Sequence, residues 1–148
     1  MKKKIVLVIG VVIMLMTSLV VESCRSDDET DTGQNFSELY GKWILLGYVS
    51  NGTFISYENS GAKECYLILE ENRSYNGRFC NSLQGEYSFN QNGEFRFLDG
   101  TSTMIWSTDP DLMFMEEQIR EGKVRSFEID GNSLKLYYSP NDYLKFSR

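Results

Sequence analysis

The side chains in this chain that could do chemistry are three cysteines, Cys24, Cys65 and Cys80, and two adjacent carboxylate pairs, Glu70-Glu71 and Glu116-Glu117. No histidine accompanies them. That absence excludes Ser-His-Asp and Cys-His catalysis, and with them the common zinc sites built on imidazole. Two carboxylates can hydrolyse a glycosidic bond when a cleft holds them about 5–10 Å apart. Sequence neighbours, however, point in different directions, and both pairs read as solvated surface. Asp109-x-Asp111 has the look of a calcium ligand pair but lacks the glycine and the distal glutamate of an EF-hand loop, so Asp109 reads as a helix cap. The expectation is therefore a protein without enzymatic activity, metal or cofactor.

The cysteines divide by position. Cys65 and Cys80 lie in two expected strands, Cys65–Glu70 and Ser74–Phe79, around a Glu71–Arg73 turn. If the hairpin loop is the two residues Asn72-Arg73, the pairing sets Cys65 opposite Cys80, and a cross-strand disulfide follows. One residue more or less in that loop separates the thiols and leaves Cys80 buried and unpaired.

Cys24 belongs to an address. Met1 to Lys4 are basic, Ile5 to Val21 run for seventeen positions without a charged side chain, and Ser23-Cys24 follow. This order is that of a secretory signal. The tetrapeptide Val21-Glu22-Ser23-Cys24 resembles a lipobox, where the chain is cut before a cysteine that carries diacylglycerol, although Glu22 stands where a small or apolar residue is usual. The expectation is a signal peptide at 1–23, lipidation at Cys24 and an acidic flexible tether at 24–38, with membrane contact through the lipid. The acidic run within Arg25 to Asp31 reads either as an ordinary solvated linker or as similar to the export signal of Bacteroidetes lipoproteins, and the expected location is the outer membrane, on its periplasmic or surface face. Removing residues 1–23 takes away Lys2, Lys3, Lys4 and Glu22 and leaves 12 of 15 basic and 20 of 21 acidic side chains, a net charge of −8. Nucleic acid is not a partner for such a surface.

The elements that must position these groups are mostly strands. From Leu39 onward short apolar runs alternate with turn signals: Lys42–Ser50, ended by Asn51-Gly52, then the Cys65 hairpin, then Gly85–Phe89 and Glu94–Phe97 around Asn90–Gly93. Strands resume at Phe127 and Ile129, at Leu134 and Leu136, and at Tyr143–Phe146. One helix is expected over 110–121, with Asp109 as cap, Pro110 at its first position, Leu112, Met115 and Ile119 as its apolar stripe, and Gly122 beyond its end. Met113 and Met115 read as core. The fold class is mostly β (α+β): a small antiparallel β-barrel-like domain at 39–148 with one short helix packed on the sheet. Trp43, Tyr48, Phe54, Tyr57 and Trp106 are the candidates to line an apolar pocket, most of them as core.

With these elements laid out, the second half is similar to the META domain family of the heat-shock lipoprotein J type. Tyr75 to Tyr87 carries a glycine, Cys-Asn, Gly-x-Tyr signature in Gly77, Cys80-Asn81, Gly85 and Tyr87. Ser102-Thr103-Met104 resembles the family's Thr-x-Met strand, Glu116 or Glu117 its helix acid, and Leu39 to Leu45 its first strand. Phe79 stands where a glycine is usual and Trp106 where a cysteine often closes the Thr103-Met104 strand, so a site built on that second cysteine is absent. The resemblance implies an envelope lipoprotein linked to stress, with no agreed enzymatic activity. It leaves three functions to compare. One is a non-catalytic module that binds or inhibits a protein partner. A second is a lipocalin-like carrier of a small apolar ligand, suggested by Gly41-x-Trp43. The third is a weak hydrolase using paired acids. A filled core favours the first, an enclosed cavity of several hundred Å³ the second, and convergent carboxylates the third.

Overall fold

The computed structural model describes residues 36–58 and 64–148. The expected signal segment, Cys24 and most of the tether lie outside these residues. A 3-10 turn, Phe36–Leu39, leads into β1 (Gly41–Ser50), followed by β2 (Thr53–Ser56), β3 (Tyr66–Leu69), β4 (Ser74–Arg78), β5 (Ser82–Phe89) and β6 (Phe95–Ser102). Helix α1 (Pro110–Arg120) then precedes β7 (Ser126–Asp130), β8 (Ser133–Tyr137) and β9 (Tyr143–Ser147). All pairings are antiparallel in one sheet of order β6-β5-β4-β3-β1-β9-β8-β7, with β2 attached to β1. The sheet curls into a half-barrel with the helix packed on it, as the apolar patterning predicts. Its two end strands meet at a single bridge among the described residues, Glu94 with Ser126, where the Phe95 amide donates to the Arg125 carbonyl at 2.9 Å and the Phe127 amide to the Gly93 carbonyl at 3.0 Å.

Alternation sets the interior. Trp43 and Leu45 on β1, Leu67 and Leu69 on β3, Leu134 and Leu136 on β8, and Leu144 and Phe146 on β9 are all fully buried. Each such side chain contributes about 1.5–3 kcal/mol relative to exposure. Tyr87 and Phe95 stack inside at 5.3 Å between ring centroids, and the Trp43 indole donates to the Leu39 carbonyl at 2.9 Å. These rings sit in the interior.

The helix is capped as its sequence requires. The Asp109 carboxylate accepts from the amides of Asp111 and Leu112 at 3.1 and 3.0 Å, with Pro110 at the first position. Met115 and Ile119 are buried; Met113, expected in the core, is 38 % exposed.

Three local features differ from expectation. Asn51-Gly52 does not merely end β1. Both residues have positive φ, 51° and 76°, the geometry of a two-residue hairpin turn, so the chain returns as β2 with Thr53 opposite Ser50. The strands expected at Gly85–Phe89 and Glu94–Phe97 extend to Ser82–Phe89 and Phe95–Ser102. The β3–β4 loop has three residues, Glu71, Asn72 and Arg73, rather than two. Arg73 takes φ 70°, its amide donates to the Glu70 carbonyl at 3.1 Å, and the Asn72 side chain accepts from the Ser74 amide at 3.0 Å. The register is therefore Tyr66 opposite Arg78, which carries Cys65 toward Phe79 and not Cys80. In this register no disulfide joins Cys65 and Cys80.

Candidate functional site

The hairpin turn between β4 and β5 is Phe79-Cys80-Asn81, and α1 packs its inner face against it. Glu116 lies four residues after Leu112 and three before Ile119, which places it on the buried stripe of the helix. It is 5 % exposed, so the expectation that both members of its pair face water is corrected. Its oxygens collect three donors: the Asn81 amide at 2.8 Å, Asn81 Nδ2 at 2.8 Å and the Cys80 thiol at 2.7 Å. A buried carboxylate needs such donors, because an unpaired charge away from water costs several kcal/mol.

Asn81, 8 % exposed, passes the constraint on. Its Oδ1 accepts from the Ile105 amide at 2.6 Å and the Thr103 hydroxyl at 3.1 Å, and Thr103 Oγ1 accepts in turn from the Ser82 amide at 3.1 Å. The family-like residues Cys80, Asn81 and Thr103 thus form one clamp with Glu116, and the clamp grips the segment after β6. What it presents is apolar: Met104 is 97 % exposed, Ile105 64 % and Trp106 85 %.

The remaining motif residues support the sheet. The Tyr87 hydroxyl donates to the Glu70 carbonyl at 2.7 Å across the interior. A Cβ on Gly85 would lie 2.8 Å from Gly100 Cα and from the Tyr75 ring, so β5 and β6 cross there only because the side chain is missing. Gly77 pairs with Leu67.

Beside the clamp is a surface pocket of about 230 Å³ lined by Tyr57, Cys65, Arg78, Cys80, Trp106 and Leu112, among others. Of the five aromatic candidates, Tyr57 and Trp106 line it, Trp43 and Tyr48 are core, and Phe54 is 47 % exposed. Burial, then the hydrogen bond and charge of Glu116, push the Cys80 thiol up to about 11. Burial also raises Cys65, whose Sγ lies 3.4 Å from the Tyr57 hydroxyl. Both thiols are protonated at neutral pH, so neither is a ready nucleophile.

The carboxylate pairs do not converge. Glu116 turns inward while Glu117 pairs with Lys123, and Glu70 and Glu71 stand exposed at the β3–β4 turn. Asp111 accepts from the Tyr48 hydroxyl at 2.8 Å, and burial together with this bond raises Tyr48 to about 12. Among the described residues no group of three or more Cys, Asp or Glu is placed to hold a metal ion, and no helix is long and apolar enough to cross a membrane. The sequence reading missed the inward position of Glu116, although its spacing from Leu112 and Ile119 carries the signal, and Arg78 as a pocket wall had no sequence signal.

A sequence profile of the META domain family matches residues 40–148. No curated protein matches the chain. Among solved structures, an NMR structure of a protein from Burkholderia xenovorans is similar at 17 % identity and TM-score 0.59, covering 76 % of this chain and 86 % of that one. A crystal structure of a duf4847 family protein from Bacteroides vulgatus is similar at 11 % identity and TM-score 0.52, covering 72 % and 91 %. At these identities the likeness concerns the fold alone.

Proposed function

This chain belongs to the META domain family, and from that premise we propose that it is a non-catalytic binding protein of the cell envelope, anchored in the outer membrane through a lipid on Cys24, whose Met104-Ile105-Trp106 loop binds or inhibits a protein partner under envelope stress. The observation that carries this reading is the contrast at the clamp: two buried polar side chains, Asn81 and Glu116, hold in place a loop whose Met104 and Trp106 are 97 % and 85 % exposed. Exposed apolar clusters mark contact surfaces, and tryptophan and methionine are enriched in them. A fixed loop also loses less entropy on binding than a free one. A carrier of small ligands is less well supported, because Trp43, Tyr87, Phe95 and Phe146 occupy the interior where a ligand cavity would lie.

The test is site-specific photo-crosslinking in intact cells of the source organism. A crosslinker at position 104 is expected to give a discrete protein adduct, and one at the exposed Asp130 none. Trp106→Ala should abolish the adduct while changing stability by no more than about 0.5 kcal/mol. Cys24→Ala should release the protein from the membrane fraction. Identical adducts from positions 104 and 130 overturn the surface, and a membrane-bound Cys24→Ala protein overturns the anchor.

A further inference from the structure

The loop explains an exposed surface but not the pocket beneath it. That pocket holds about 230 Å³, and a dry cavity of about 150 Å³ is already enough to take up benzene. Its walls are Tyr57, Cys65, Cys80, Trp106 and Leu112. Two of its polar groups are already engaged, the Cys80 thiol with Glu116 behind the wall and the Cys65 thiol with the Tyr57 hydroxyl. An occupant therefore meets aromatic, aliphatic and thiol surface together with the polar residues Ser82 and Ser107, which suits an apolar group carried beside a polar one. At the rim stands Arg78, an exposed guanidinium that no carboxylate pairs among the described residues.

Resting on the reading that this surface binds a protein, we propose that the pocket is its anchor site and receives one apolar side chain of the partner, up to a phenyl ring in size, with a neighbouring carboxylate that pairs with Arg78. Trp106 forms the outer wall, so a partner lying on the loop covers the pocket mouth as well. The pairing of one deeply inserted side chain with one rim charge is what gives a small contact its specificity.

The proposal is tested with the full-length protein in phosphatidylcholine nanodiscs and capped hexapeptides carrying Phe-Asp, Ala-Asp or Phe-Asn at their centre, read by Trp106 fluorescence and by methyl NMR shifts. The Phe-Asp peptide is expected to bind about tenfold or more tightly than Ala-Asp, and to shift the methyls of Leu112 and Ile105 while leaving those of Leu134 unmoved. Against Phe-Asn it should gain up to about fivefold, and Arg78→Gln should erase that gain while leaving the Phe-to-Ala ratio intact. Equal binding of Phe-Asp and Ala-Asp, or shifts confined to methyls away from the pocket, overturns the anchor site. Free phenylacetate binding as tightly as the peptide overturns the choice of a protein segment as occupant. The crosslink at position 104 reports on the loop surface alone, so a failed peptide series with that adduct intact removes this inference and leaves the partner-binding reading standing.

Discussion

The middle of the half-barrel and the corner around Asn81 both bury large side chains, yet they are held by different forces. In the middle, Trp43, Tyr87, Phe95 and Phe146 are buried by packing, with Arg148 over the Trp43 ring at 4.3 Å. Apolar burial of this kind is strong and non-directional, and it selects a shape without selecting any particular loop. At the corner, Glu116 and Asn81 are buried through hydrogen bonds whose directions fix one conformation of residues 103–105. The net stability from such bonds is modest, but each unsatisfied group is costly, so the network enforces a unique arrangement. Stability of the fold and definition of the surface thus reside in separate sets of residues.

Substitutions that touch one set and spare the other sharpen this contrast. The largest effect is expected from Trp43→Ala, which empties the interior and removes the bond to Leu39: a loss of about 3–5 kcal/mol in urea unfolding. A loss below about 1 kcal/mol would mean that the middle is not where the fold is held. Asn81→Ala should cost less, about 1–3 kcal/mol, and act locally, with hydrogen exchange of the Ile105 amide accelerating far more than that of the Leu136 amide. Uniform acceleration at both amides would erase the distinction between the regions.

The smallest effect concerns Cys80 and is silent at neutral pH. Its folded thiol sits at about 11 against an ordinary 9.0, through burial and the neighbouring Glu116. The neutral thiol is therefore the form that folding favours. Its contribution to stability is present below pH 9 and is lost as pH rises through about 11. Alkylation of Cys80 in the folded protein should stay slow at pH 8 and rise toward pH 11, and Glu116→Gln should bring that rise to lower pH. A folded wild-type protein whose Cys80 reacts at pH 8 as fast as in urea would break the account of the corner.

The same division governs what the sequence revealed. Strand alternation and the Asp109-Pro110 cap are local signals written in consecutive residues, and they located the sheet and α1 to within a residue or two at most ends. Register is not local in that sense. The third loop residue was settled by Arg73 adopting φ 70° and by the Asn72 side chain bonding to Ser74, and this one residue turned Cys65 and Cys80 out of alignment. β2 escaped notice because Thr53–Ser56 is mostly exposed and carries no alternation. Glu116 was hidden by its charge. A carboxylate is ordinarily read as surface, and only the donors of a turn 35 residues earlier in the chain make its burial tolerable.

The position of β1 carries a consequence for the order of events during folding. It lies between β3 and β9, so Ile44 to Tyr48 find their second set of partners at Leu144 to Ser147, roughly a hundred residues downstream. Contacts of that separation close late and slow the search for the native state. Until β9 arrives, the edge of β1 is an unpaired ladder beside Trp43 and Leu45, open to pairing with other chains. Strands β3 to β6, joined by short hairpin turns, can assemble early, while the interior waits for the last strand. A chain interrupted before residue 143 thus holds every residue of β1 and its partners β2 and β3, yet leaves the other edge of β1 open.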